Sequence, residues 1–338
     1  MTSSMFRSHA VASVPTRQQG GFTLIEMLIS ITIGLGILAG LVGVLASSSS
    51  SSRSNDRTSE LLTNGRYALN SVKQELRQAG FRGRTWGEPG VPAPWVAPTT
   101  GCVGPEAGAS IGAFVSNIRQ GIWGSNDANP FGAVGSCIAN ADYVAGSDVL
   151  VIRRLAATAT LVANTVYFRS SYERGQVFRG AVAPVFPGPA TAATNYAVEI
   201  FVYYLRPYTV SAAENPLMPA LVRTRLDVNG LMTTELVASG IERFQVQYGR
   251  LATDLSTQYL NADALLNQAS AATATSSDLV PTEWDDVNSV RIWLLSRNST
   301  AEPGYVNTTP YAMGGQADFI PNDGFRRQLF STVVQLRN

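Results

Sequence analysis

The sequence predicts an α+β protein: a long N-terminal helix, one half membrane-spanning and one half amphipathic, packed on a β-rich, mainly antiparallel C-terminal domain. Three observations predict it. An apolar run from Phe22 to Ala46 leads into a second helical stripe, with no proline between Pro15 and Pro89 to break the backbone. From Ser147 onward the chain turns to segments rich in β-branched and aromatic residues. Between these parts, residues 86–145 are rich in Gly, Pro, Asn and small side chains, the composition of a long looped region.

Residues 1–21 form a short polar leader carrying Arg7, His9 and Arg17. Residues 22–46 would span about 37 Å as a helix, against roughly 30 Å of bilayer hydrocarbon. The basic leader places the N-terminus in the cytoplasm and everything beyond Ala46 outside the inner membrane. A secretory signal would be cut after its apolar run, and "LASSSSSS" could mimic such a site. However, this run exceeds a usual signal core and contains Glu26.

Residues 47–80 open with the unbroken serine run Ser47–Ser52, either a flexible joint or a continuous helix surface. Leu62, Leu69, Val72, Leu76 and Ala79 then recur at three- and four-residue steps, with Arg66, Lys73 and Arg77 largely off that stripe. Gly65 interrupts the stripe at about 1 kcal/mol relative to Ala. Gly80 is a helix stop, with Phe81 as a hydrophobic clasp.

Seven segments read as strands: "SDVLVIRRL", "NTVYFRS", "YAVEIFVYYLR", "PALVRTRLDV", "ERFQVQYGRL", "SVRIWLLSR" and "QLFSTVVQLRN". Val222, Leu226 and Val228 alternate with Arg223, Arg225 and Asp227, a strand with one wet face, and Asn229-Gly230 supplies a hairpin turn. "SSDLVPTEWDD" reads as a loop between two strands.

The chemistry these residues exclude is as informative. A net charge of +1 gives no general grip on nucleic acid, so direct nucleic-acid binding is not expected. The single histidine, His9, lies in the leader; without it no Ser-His-Asp, Cys-His or imidazole metal site is available. No enzyme activity, cofactor or metal is expected. Cys102 and Cys137 could form a catalytic or metal pair, but two sulfurs without histidine make a poor zinc site. Outside the inner membrane a disulfide is the favoured reading, contributing roughly 3–4 kcal/mol in the chain-entropy model. "SNDANP" at residues 125–130 lacks an EF-hand pattern and reads as a solvated turn rather than a calcium site. The adjacent Asp285 and Asp286 would face opposite sides if on a strand and so make a poor acid/base pair; a solvated turn is the favoured reading there too. Arg326 and Arg327 could meet an acidic partner, although charged strand residues usually face water.

Gly36 and Gly40 form a G-x-x-x-G that would allow close helix packing, against the alternative that glycine is simply common in membrane helices. Glu26 is a carboxylate with no cationic side chain in the apolar run to pair with. Near the cytoplasmic end its cost falls below the ~2.5–3.5 kcal/mol of a charge at mid-bilayer.

"GGFTLIEMLIS" resembles the type III signal of type IV pilins and type II secretion pseudopilins. The resemblance implies that a prepilin peptidase cuts between Gly21 and Phe22, that Phe22 is N-methylated, and that Glu26 serves subunit assembly. Cleavage would expose an amine at Phe22. Glu26, four residues on, would pair with its own amine or with that of a neighbouring subunit.

"NGRYALNSVKQELRQAGFRG", "SGIERFQVQYG", "SVRIWLLSR" and "DGFRRQLFSTVVQLRN" resemble the PilW family of minor pilins, which is related to the J-type pseudopilins of type II secretion. This implies a pilin-like fold with a periplasmic domain over residues 81–338, and a membership in the minor-pilin complex that primes pilus assembly at the tip. The implied partners are other minor pilins, the major pilin, a tip adhesin-like protein, the prepilin peptidase and the inner membrane. The implied processes are twitching motility, adhesion and DNA uptake. The alternative is a J-type minor pseudopilin.

Overall fold

In this computed structural model the described residues are 20–85, 89–90, 96–103, 110–133, 135–158, 160–186, 192–251, 256–265 and 283–337. Most of the leader and most of the predicted loop at 276–286 lie outside them. The chain divides into two units, Met1–Asn55 and Asp56–Asn338.

A single helix, α1 (Leu24–Leu76), runs without a break through the serine run. In the first unit every residue from 20 to 53 is exposed. This part of α1 is long and apolar enough to cross a membrane.

In the second unit α1 buries Leu61, Gly65, Ala68, Val72 and Leu76, and Ala79 continues that face. The predicted stripe is therefore rotated: Leu62 and Leu69 sit at its margin, only partly buried. Small residues take the centre because strands approach closely there. A Cβ on Gly65 would collide with the Phe330 ring, so this glycine lies at a packing contact rather than merely interrupting a helix. After Leu76 the chain leaves the helix through Gly80, at φ 77°. Phe81 meets Tyr196 edge to face, with ring centroids 6.0 Å apart.

Two sheets form the rest of the unit. The larger contains β1 (Pro89–Gly90), β2 (Ile122–Ser125), β3 (Val149–Thr158), β4 (Val166–Ser170), β5 (Gly175–Arg179), β6 (Thr194–Arg206), β7 (Ala220–Leu226) and β8 (Met232–Ser239). The thirteen-residue β6 organises it. β3 lies along one edge; β4 takes Thr194–Ala197 and β7 takes Phe201–Arg206 on the other. The smaller sheet has the order β10 (Thr257–Leu260), β9 (Ile241–Leu251), β11 (Val287–Arg297), β12 (Arg327–Gln335). Every pairing is antiparallel except β1 with β5.

The helix touches both sheets. Asn64 donates to Ser239 Oγ at 3.2 Å in β8, and Ser296 Oγ in β11 donates to the Leu61 carbonyl at 3.2 Å. Glu75 lies 2.9 Å from Arg154 and 3.5 Å from Arg223, and Arg154 lies 2.7 Å from Glu199. Burial raises the Glu75 pKa despite these cations.

The seven predicted strands are all present, as β3, β4, β6, β7, β9, β11 and β12. Two details differ. Val228 lies beyond β7 in the turn and is exposed, because Asp227 Oδ1 accepts from the amides of Asn229 and Leu231 and closes that turn early. Residues 86–145 are not uniformly loop: they hold β2 and a short helix, α2 (Ile111–Ser116), whose Phe114 is fully buried. Asp285 and Asp286 lie on a 3-10 turn, Glu283–Asp286, in keeping with the loop read there.

Candidate functional site

The predicted assembly residues cluster at the start of α1. Gly21, Phe22 and Glu26 are exposed, Phe22 at 86% of its surface. Thr23 caps the helix. Its amide and hydroxyl both donate to Glu26 Oε2 at 2.9 Å, while the Glu26 amide donates to Thr23 Oγ1 at 3.3 Å. This is a reciprocal capping box, in which two otherwise orphaned amides of the first turn find partners. The pattern Thr-x-x-Glu was visible in "TLIE", and only the glutamate was singled out from sequence.

The box changes the chemistry of Glu26. One carboxylate oxygen is occupied inside the chain; among the described residues, Oε1 accepts no hydrogen bond. Glu26 itself is exposed. Further along, Gly36 and Gly40 have nothing within 4 Å of where a Cβ would stand, so no part of the described chain packs on them.

Cys102 and Cys137 are joined by a disulfide, with Cα atoms 4.5 Å apart and a sequence separation of 35. Cys102 is fully buried. Beside the bridge, the Val103 amide donates to Ser136 Oγ at 3.0 Å. The disulfide belongs to the domain's architecture and lies remote in sequence from Glu26.

The weaker candidates find partners within the chain. In "SNDANP", Asp127 accepts from Gln245 at 3.2 Å and also from Gln316. Its amide donates to Asp148 Oδ1 at 3.0 Å, and the Val246 amide donates to Asp148 Oδ2 at 2.7 Å. Asp148 thus ties the start of β3 to β9. Burial outweighs both amide donors and pushes its pKa up to about 7. Arg326 pairs with Glu302 at 2.8 Å. Arg327, with its side chain almost fully buried, is held by Glu242 and Asp323. Asp285 lies 3.3 Å from Arg119. Among the described residues no group of three or more His, Cys, Asp or Glu could hold a metal ion.

Comparison with known families adds the context that geometry alone lacks. A family model described as Type IV Pilus-assembly protein W matches residues 202–338, from the middle of β6 through β12. A second, the prokaryotic N-terminal methylation motif, matches residues 16–42 and so covers the capping box and the first glycines of α1. The chain is therefore similar to the PilW family over its C-terminal part and to the prepilin methylation motif at its start. No curated protein and no solved structure matches it. The PilW match contains the whole smaller sheet, against which Gly65 is packed. The exposed apolar half of α1 and the methylation motif together fit a membrane-anchored pilin of the type IV class.

Proposed function

We propose that the chain is a minor pilin of the type IV pilus that primes assembly within a minor-pilin complex at the tip. It acts without catalysis, joins other minor pilins and the major pilin, and helps present a large adhesin-like partner. In this role it supports twitching motility, adhesion and DNA uptake. Its N-terminus faces the cytoplasm and its second unit faces the periplasm before incorporation. The observation carrying this reading is that one unbroken helix joins an exposed, membrane-length apolar half bearing the methylation motif to a folded PilW-type domain.

Processing between Gly21 and Phe22 leaves Thr23 as the second residue of the mature chain, so the capping box survives the cut. The new amine stands at Phe22. Glu26 Oε2 stays with Thr23, and Oε1 meets the amine of a neighbouring subunit, neutralising both charges in the membrane. Gly36 and Gly40 let neighbouring helices come close.

Intact-mass measurement of the mature protein tests the reading. Loss of Met1–Gly21 with one added methyl on Phe22 is expected; a full-length chain would overturn it. Two substitutions then separate the roles of Glu26. Glu26→Ala removes both charge and cap, while Glu26→Gln keeps a cap acceptor and removes only the charge. Both are expected to be processed normally and to co-purify poorly with other minor pilins. Wild-type recovery with Glu26→Gln would assign Glu26 to capping alone.

A further inference from the structure

Where α1 ends, the second unit has a cleft of about 520 Å³ that none of the roles above uses. Arg82, Arg84, Arg119 and Arg337 line it, together with Trp284 and Asp285. These four guanidinium groups come from three separate parts of the chain, in a protein whose net charge is only +1. Arg119 shares its charge with Asp285 at 3.3 Å. The side chains of Arg82, Arg84 and Arg337 have no ion pair among the described residues. The basic surface continues past Arg337, which also lines a neighbouring depression with Lys73 and Arg77.

The cleft wall holds a second, independent feature. Trp284 is 4% exposed, packed edge to face on Tyr248 with centroids 4.7 Å apart, and its indole N–H has no acceptor among the described residues. A buried donor without an acceptor destabilises a fold by roughly 1–3 kcal/mol. Gly80 and Gly121 also line it, and they meet backbone to backbone.

We infer that this cleft docks an acidic peptide segment of another pilus subunit, whose carboxylates pair with Arg82, Arg84 and Arg337. Guanidinium groups recognise carboxylates through paired N–H donors, and a confined cleft desolvates that pairing more than an open surface does. A nucleic-acid backbone fits less well, because Asp285 on the cleft wall opposes a row of phosphates. That the segment belongs to another pilus subunit rests on the minor-pilin reading. The cleft's chemistry does not, so its failure would leave the intact-mass result untouched.

The test uses the full chain in an uncharged detergent and a fluorescent Asp/Glu hexapeptide, followed by anisotropy at about 50 and about 150 mM salt. The acidic peptide is expected to bind, more weakly at the higher salt, and its Asn/Gln counterpart at least about tenfold more weakly. The triple variant Arg82→Gln, Arg84→Gln, Arg337→Gln is expected to lose about tenfold or more, with an unchanged melting temperature. Arg53→Gln, on the exposed half of α1, is expected to bind as wild type. Should the triple variant melt early, Arg337→Gln alone, at an exposed position near the chain's end, is expected to lose about threefold. Equal binding of acidic and amide peptides, undiminished binding by the Arg variants, or tighter binding of a single-stranded DNA hexamer would each overturn the inference.

Discussion

Gly34, Gly36, Gly40 and Gly43 in the first half of α1 face no described atom where a Cβ would stand, whereas Gly65 in the second half faces the Phe330 ring. The halves share a backbone and differ in what covers them. Leu61, Ala68, Val72 and Leu76 are buried by sheets of the same chain, while Phe22, Leu24, Ile33 and Leu38 are each more than half exposed. The same residue types in the same secondary structure are therefore buried in one half and exposed in the other. Apolar surface of this extent calls for a cover, and for the first half the proposed cover is the bilayer and then neighbouring pilin helices.

The polar groups differ in the same way. Glu75, in the second half, is held by two arginines of the chain. Glu26, in the first, has only Thr23 and one oxygen to spare. Glu75 is thus matched within the folded unit, whereas Glu26 meets no cation among the described residues.

The sharpest way to break the second region is at its tightest backbone approach. A Cβ on Gly121 would stand 2.6 Å from the Gly80 amide nitrogen, with main chain on both sides and no flexible side chain to move aside. Gly121→Val is expected to destabilise the protein by about 3 kcal/mol or more, by parting the end of α1 from the loop before β2. Thermal unfolding of the full chain in detergent would show it as a lowered midpoint. A wild-type midpoint would mean that this junction yields.

The next effect is titratable. Asp148 has its pKa raised from 3.8 to about 7, chiefly by burial. Between those values the folded chain keeps a proton that the unfolded chain releases, so stability falls as pH rises. The slope approaches about 1.4 kcal/mol per pH unit and vanishes above the folded pKa. Melting midpoints at pH 5, 6 and 7 should therefore decline. Asp148→Asn should flatten that decline while lowering the midpoint, since an amide cannot accept from both backbone donors. A slope that persists in the variant would move the titration to another group.

Much of this fold was legible in the sequence. Period-two runs of Val, Ile, Tyr and Phe marked seven strands, because burial on a pleated face demands those residues. β5 and β8 escaped because their sequences, "GQVFR" and "MTTELVAS", mix glycine or polar residues into the strand, and β8 pairs with β7 alone among the described strands. The helix stripe was drawn through Leu62 and Leu69, since size signals burial in a sequence. In the fold the centre goes to Gly65 and Ala68, since closeness there requires small residues. Glu26 was legible as an isolated carboxylate, and its partner Thr23 less so, because a hydroxyl beside an apolar run draws no attention. The arginine cleft was not legible at all. Residues 82, 84, 119 and 337 meet only through topology, and no spacing announces them.

The smallest expected effect compares the two halves of α1 directly. Glycine in an exposed helix interior is worth about 1 kcal/mol less than alanine. Gly40→Ala meets no atom of the described chain, so melting should be unchanged or slightly raised. Gly65→Ala gains the same helix propensity but must displace the partly buried Phe330 ring, so a net loss of about 1 kcal/mol is expected. If the two substitutions behave alike in the isolated protein, Phe330 is free to swing away, and the contrast between the halves rests on the larger side chains alone. If Gly40→Ala is silent in melting yet lowers co-purification with other minor pilins, the surface that no described residue covers is one that a neighbouring helix does.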